Sequence, residues 1–170
     1  RESPLKIHLA IGVSRGERMD WVIQKATELG VTAITPLFTE RTEVKLNAER
    51  LDKKTRHWQH IAISACEQCQ RTLVPHVNPA ISLQQWVVTD NHSLKLVLHH
   101  RTEKRLGEFS DKNDLVSLLI GPEGGLSDSE IDFALNNGFN PLTLGPRVLR
   151  TETAPLAAIS ILQSLWGDMG

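Results

Sequence analysis

Apolar runs alternate along this chain with stretches in which apolar residues recur every three or four positions. The runs at 5–13, 94–100 and 115–120 predict strands, and the last two have the pattern of strands covered on both faces. The three- and four-residue spacing within 17–30 and 48–69 predicts amphipathic helices. Strands that alternate with helices indicate an α/β fold with a mostly parallel sheet.

The rest of the chain continues this alternation. Ser127 and Glu130 are spaced as a capping box, so we expect a helix to begin at Ser127. Ser82 can cap a brief helix over 81–88. The last helix, 153–166, is apolar on almost every side, and we expect it to be buried on more than one side. Further extended segments are predicted at 31–38, 72–77 and 141–145.

The amino-acid composition limits the kinds of protein that this chain can be. The 170 residues, 40% of them hydrophobic, suffice for one globular domain. A formal net charge of -1 gives no general basic surface, so any binding of nucleic acid requires local patches. We expect no membrane segment and no signal peptide, and the two cysteines, Cys66 and Cys69, are too few for a secreted disulfide scaffold. The expected location is therefore cytoplasmic.

A loop rich in glycine follows the predicted strand at 115–120. Its sequence, GPEGG, matches neither a dinucleotide fingerprint nor a P-loop, so pyrophosphate binding is not expected. Gly121, Gly124 and Gly125 instead permit close approach of the backbone to a flat, largely uncharged group such as an adenine ring. The alternative is a tight turn between a strand and a helix.

A second Gly-Pro loop, GPRVLRTETA, follows the last predicted strand. Arg147 and Arg150 lie three residues apart in it, and the planar guanidinium suits the recognition of phosphates and bases. The alternative is that Thr153 caps the last helix while both arginines are only solvated.

Together these loops are similar to those of a known family. LLIGPEGGLSDSEI (118–131), followed by LTLGPRVLRTETAPLAAISILQ (142–163), resembles the C-terminal half of the SPOUT methyltransferases. More narrowly, the chain resembles the ribosomal RNA small subunit methyltransferase E family. RGERMDWVIQKATELGVTAITPLFTERT (15–42) and ISACEQCQR (63–71) carry the resemblance through the N-terminal half.

The resemblance has consequences for the architecture. It implies that residues 1–170 form one SPOUT methyltransferase domain, with a mostly parallel sheet covered by helices on both faces and a C-terminal deep trefoil knot. It also implies a homodimer. The family usually carries an N-terminal PUA-like RNA-binding domain, which we expect this chain to lack. A smaller departure is Gln70, where the family more often has glycine, and this change could shift Arg71.

The resemblance also implies an activity. The family uses S-adenosyl-L-methionine to methylate N3 of a uridine in small-subunit (16S) ribosomal RNA, and we expect the substrate to be an assembled subunit. The implied cofactor-binding residues lie in three loops: Leu98 and His99; Gly121, Glu123 and Gly125; and Leu144, Gly145, Val148, Leu149 and Thr153.

The acceptor nitrogen of uridine carries a proton that must leave, so a base or an anion-stabilising group is needed. Arg150 and Arg147 could stabilise the developing uracil anion, and Glu123 or Glu152 could take the proton. We expect Arg150 to participate most directly.

Polar residues in the N-terminal half form a second set that could contact RNA. They are Lys25, Arg41, Gln68 and Arg71. The alternative is that they are ordinary surface residues of helices, with Glu67 and Arg71 forming an i,i+4 ion pair.

No metal site is expected from the sequence. His57 and His60 are three residues apart without further ligands nearby, and Cys66 and Cys69 form a lone C-x-x-C pair. Two other functions stay open beside the methyltransferase. One is a non-catalytic RNA-binding module of the same fold, and the other is a small-molecule enzyme of flavodoxin-like architecture that uses a nucleotide.

Overall fold

Seven short strands form one sheet in the computed structural model, which describes residues 2–42, 46–109 and 111–170. The strands run in the order β3-β2-β1-β6-β5-β7, β4 pairs with β2, and every pairing is parallel. This confirms the predicted parallel sheet. The strands are β1 (Lys6–Gly12), β2 (Ala33–Phe38), β3 (His76–Val77), β4 (Ile81–Ser82), β5 (Leu94–Leu98), β6 (Leu115–Ile120) and β7 (Asn140–Leu142).

Five α-helices lie within the described ranges; four of them connect strands, and α5 follows the last strand. They are α1 (Arg18–Glu28), α2 (Ala48–Cys69), α3 (Leu83–Thr89), α4 (Asp128–Asn136) and α5 (Ala154–Trp166). The caps agree with the sequence: the Ser82 hydroxyl accepts from the Gln85 N–H, and Ser127 and Glu130 form the capping box of α4. Of the helices so described, none is long and apolar enough to cross a membrane.

Side chains alternate across the sheet, so each face builds its own core. On one face, Ile7, Leu9 and Ile11 of β1 are fully buried in a cluster that includes residues of α1, α2 and α5. On the other face, Ala10 and Leu119 belong to a cluster with residues of α3 and α4. Helices therefore cover both faces, as predicted.

The last helix is less enclosed than its sequence predicts. Seven of its residues are buried, including Gln163, but Ile161 is 40% exposed and Leu165 is 46% exposed. These two residues lie at i and i+4, so they form one apolar strip on the helix surface. Within the residues that the structure describes, this strip is only partly covered, so the burial expected for α5 is incomplete there.

Gln70 ends α2 in the left-handed conformation, with φ 64° and ψ 31°. This backbone explains a preference for glycine at this position. Arg71 is nevertheless held firmly: it donates to the carbonyls of Thr27 (2.8 Å) and Val31 (2.9 Å) and pairs with Glu2 (2.7 Å). Among the described residues its ion-pair partner is Glu2, so the alternative of an i,i+4 pair with Glu67 is wrong.

Candidate functional site

Four neighbouring strands, β1, β6, β5 and β7, end at the same edge of the sheet. Ligands of open parallel sheets bind at this edge, where the loops that follow the strands converge. We define the glycine loop as residues 121–126, after β6, and the arginine loop as residues 145–153, between β7 and α5. The predicted cofactor residues lie in these loops or directly after β5 and β7.

A hydrogen bond joins the two loops. The Thr151 hydroxyl donates to the Gly121 carbonyl at 2.8 Å, although thirty positions separate the residues. The N–H groups of Thr153 and Ala154 donate to the Arg150 carbonyl at 2.9 and 3.0 Å, which turns the arginine loop into α5. The Thr153 side chain makes no capping hydrogen bond, so the alternative in which it caps the helix is wrong.

The glycine loop leaves no room for side chains at its closest approaches. A Cβ atom on Gly121 would lie 2.7 Å from the Leu126 nitrogen, and one on Gly12, at the end of β1, would lie 2.5 Å from Pro122 Cδ. Gly125 has φ +75°, a conformation that favours glycine. The loop is therefore a bare backbone surface packed against the end of β1.

Apolar side chains border this surface. Leu98, Leu144 and Leu149 are partly buried, and all three pack against the same core cluster. They come from the end of β5 and from the segment after β7, and all three are among the cofactor-binding residues that the family resemblance implies. Val148 is different, because 86% of it is exposed.

His99, the residue after Leu98, has a side-chain nitrogen without a hydrogen-bond partner among the described residues. Its N–H donates to the Leu142 carbonyl at 2.9 Å, while its side-chain Nδ1 is buried and has no hydrogen-bond partner among the described residues. Burial lowers the pKa of His99, and the neighbouring charges of His100 and Arg101 lower it further, which favours the neutral ring. A buried nitrogen without a partner fits a site that receives a polar ligand group.

Glu123 is held by the loop that follows β1. Its carboxylate accepts from the Arg15 N–H at 2.7 Å and from Arg18 Nη1 at 3.2 Å. Burial alone would raise the pKa of Glu123, but these hydrogen bonds and the charge of Arg18 lower it below its ordinary value. Arg15 and Arg18 were missed in the sequence, although their loop also follows a strand at this edge.

The candidate catalytic residues of the arginine loop are at least partly exposed to solvent. Arg147 and Arg150 are exposed, as a residue that meets RNA must be. Glu152 lines a surface cavity of about 520 Å³ together with Arg18 and Trp21 of α1. Arg18 therefore bonds one of the two candidate bases, Glu123, and lines the same cavity as the other, Glu152.

The predicted RNA set is not brought together as one patch. Arg41 reaches the glycine loop, where its Nη1 donates to the Gly124 carbonyl at 2.9 Å. Lys25 pairs with a glutamate three residues further along α1, and Gln68 lies exposed on α2. The guanidinium of Arg71 is 6% exposed and occupied within the fold.

The chain is similar to known proteins in sequence and in fold. The profile of the RNA methyltransferase domain family matches residues 1–163. The ribosomal RNA small subunit methyltransferase E of Buchnera aphidicola (from Schizaphis graminum) is 44% identical over 169 residues, which cover 99% of this chain and 69% of that protein.

Two solved structures are similar over nearly the whole chain. A ribosomal RNA small subunit methyltransferase E from Neisseria gonorrhoeae, bound to S-adenosyl methionine, has a TM-score of 0.94 at 44% identity and covers 100% of this chain and 70% of its own. A Legionella pneumophila methyltransferase in complex with SAM has a TM-score of 0.96 at 51% identity, with 99% and 69% covered. This chain thus spans a little over two thirds of these proteins.

Proposed function

Because the chain belongs to the ribosomal RNA small subunit methyltransferase E family, we propose that it transfers a methyl group from S-adenosyl-L-methionine to N3 of a uridine in small-subunit ribosomal RNA. The observation that carries the proposal is the junction of the glycine loop and the arginine loop through Thr151 and Gly121. This junction supports the proposal because it joins the bare backbone of the glycine loop to the loop that carries two exposed arginines. Both loops lie at the edge where ligands of open parallel sheets bind.

The glycine loop and its leucines hold the methyl donor in this proposal. Leu98, Leu144 and Leu149 enclose the adenine ring, and the backbone of Gly121 and Gly125 gives it close access to amides and carbonyls. The cofactor supplies a methyl group on a positively charged sulfur, which is open to attack by a nitrogen in line with the leaving sulfur. The protein contributes mainly alignment of donor and acceptor.

The arginine loop binds the uridine that accepts the methyl group. Arg150 stabilises the negative charge that develops on the uracil ring when N3 loses its proton, and Arg147 binds a neighbouring phosphate. Glu152 accepts the proton. We prefer Glu152 to Glu123 because the Glu123 carboxylate is engaged by Arg15 and Arg18, whose hydrogen bonds lower its pKa and make it a weak base.

Two further parts of the proposal concern partners. The substrate is ribosomal RNA within an assembled small subunit, which Arg41 and the neighbouring surface of α1 and α2 contact. The active form is a homodimer in which the apolar strip of α5, Ile161 and Leu165, is covered by a second copy.

Calorimetry with S-adenosyl-L-methionine is the first test, and we expect micromolar binding. Tritiated methyl transfer to undermethylated small subunits is the second. Arg150→Ala and Glu152→Gln are expected to reduce the rate at least about 100-fold while cofactor binding is retained, and Glu123→Gln is expected to reduce it far less. Arg56→Ala, on the exposed face of α2, serves as the control for loss of an arginine.

The outcomes separate the three candidate functions. No binding of the methyl donor contradicts the proposal and leaves the nucleotide-using enzyme open. Binding of RNA without any methyl transfer supports the non-catalytic RNA-binding module. Wild-type rates for Arg150→Ala remove that residue from the mechanism, and a greater loss in Glu123→Gln than in Glu152→Gln reverses the choice of base.

A further inference from the structure

A separate group of chemically capable side chains lies away from the loops described above. His8 of β1, together with Asp90 and His92 from the segment between α3 and β5, offers three ligand atoms within 4.8 Å of one another. They line a cavity of about 370 Å³. His8 is level with Ser117 of β6, four residues before Gly121, so the group lies about 13 Å from the glycine loop along the strands.

Asp90 is the most constrained member of this group. Its side chain is 2% exposed, and its Oδ1 accepts from the Ser117 hydroxyl at 2.8 Å and bonds His92 Nδ1 at 2.7 Å. Its second oxygen, Oδ2, is buried and has no hydrogen-bond partner among residues 2–42, 46–109 and 111–170. A buried carboxylate oxygen without a partner costs stability unless something else satisfies it.

The two imidazoles lie close to the Asp90 carboxylate, since one nitrogen of each and one carboxylate oxygen lie within 4.8 Å of one another. The ring centroids of His8 and His92 are 5.5 Å apart in an edge-to-face arrangement. His8 Nε2 bonds the Thr35 hydroxyl at 2.6 Å. Burial, together with the nearby His92 and against the opposing effect of Asp90, lowers the pKa of His8 to about 4, so the ring is neutral at neutral pH. Neutral imidazole is the form that ligates metals.

We propose that His8, Asp90 and His92 form a binding site for a divalent transition-metal ion of the zinc class. Two imidazole nitrogens and one carboxylate oxygen suit zinc, whereas calcium and magnesium prefer sites made of oxygen. Around a tetrahedral zinc ion, neighbouring ligand atoms lie about 3.4 Å apart. The three ligand atoms here lie within 4.8 Å of one another, so each pair needs to approach by roughly 1.5 Å at most.

The bound ion has a structural consequence. It satisfies the unpartnered oxygen of Asp90 and links β1 to the segment that leads into β5. Ser117 acts as a positioning residue, because its hydroxyl fixes the orientation of the Asp90 carboxylate. This site was not predicted from the sequence, where no metal was expected, because His8 is far from the other two ligands along the chain.

Zinc titration of tag-free protein, stripped with EDTA and measured by competition with a chromogenic chelator, tests the proposal without RNA or methyl donor. We expect one ion per chain and a Tm that rises by roughly 5–10 °C at a free zinc concentration 100 times the Kd. Asp90→Asn and His92→Gln are expected to weaken binding at least about 100-fold, and Ser117→Ala about tenfold. Cobalt in place of zinc is expected to give the spectrum of a tetrahedral site without a thiolate charge-transfer band.

Matched variants distinguish this site from the histidine pair and the cysteine pair of α2. The double variant His57→Gln/His60→Gln on α2 is expected to bind zinc as the wild type does, and so is Cys66→Ser/Cys69→Ser. Zinc affinity lost in either double variant, a thiolate band with cobalt, or no stoichiometric binding overturns the proposal. An unchanged zinc affinity in both Asp90→Asn and Ser117→Ala also overturns the proposal. Circular dichroism and the affinity for S-adenosyl-L-methionine report whether each variant keeps its fold.

Discussion

At the scale of single residues, Gln70 carries a side chain in a backbone conformation that favours glycine. A residue with a Cβ pays about 1 kcal/mol in the left-handed region, which glycine avoids. We therefore expect Gln70→Gly to raise the free energy of unfolding by about 0.5–1 kcal/mol in urea denaturation. Gln24→Gly, in the middle of α1, is the control and is expected to lower it by about 1 kcal/mol. A loss of stability in Gln70→Gly contradicts this account of the α2 terminus.

Glu2 gives the fold a dependence on pH. Burial alone would raise its pKa, but the hydrogen bonds from Arg71 and from the Leu73 N–H lower it below its ordinary value of 4.5. The Glu2–Arg71 pair therefore stabilises the fold at pH values above 4.5, and this stabilisation is lost as the pH falls through the lowered pKa of Glu2. We expect Glu2→Gln to lower the free energy of unfolding by about 1–2 kcal/mol at pH 7, and the difference from wild type to shrink below pH 4.5.

Urea denaturation at several pH values checks this expectation. Glu103→Gln is the matched control, because that side chain is exposed and makes no described hydrogen bond or ion pair. A difference between Glu2→Gln and wild type that stays constant down to pH 3 means that the carboxylate does not carry the stabilisation.

At the scale of elements, the end of β1 supports the glycine loop. The Cβ of an alanine at position 12 collides with Pro122, so Gly12→Ala must displace the loop from the strand. We expect the Kd for S-adenosyl-L-methionine to rise at least about tenfold, measured by calorimetry, while circular dichroism still shows a folded protein. Gly107→Ala is the control, since a Cβ there meets nothing within 4 Å. Equal affinities for the two variants contradict a role for this contact.

Elements fixed by local sequence were predictable, whereas contacts between distant segments were not. The α2 bounds and the α4 capping box agree with the prediction because spacing and caps act within a few residues. β4 was missed because two residues carry no periodicity. The pairing of Glu123 with Arg18, and of Thr151 with Gly121, depends on which loops converge, and a single sequence does not encode that as a pattern.

At the scale of the whole molecule, the apolar strip of α5 argues for association. Ile161→Glu/Leu165→Glu is expected to convert a dimer into a monomer in light scattering coupled to size-exclusion chromatography, because two charges oppose burial of the strip. Leu73→Glu, at an exposed leucine before β3, is expected to leave the dimer intact. A wild-type chain that is monomeric at micromolar concentration contradicts the proposed dimer. The trefoil knot also stays a prediction at this scale.

The parallel pairing of β1 with β6 has a consequence for synthesis. β1 can pair with β2 once residue 38 has left the ribosome, but its other edge waits for Leu115–Ile120. About 80 residues separate these events, which corresponds to roughly 4–16 s of translation at 5–20 residues per second. During that interval the nascent chain presents an open, apolar strand edge of the kind that recruits other chains. The central position that gives β1 a neighbour on each side in the finished sheet therefore also leaves one of its edges unpaired for most of synthesis.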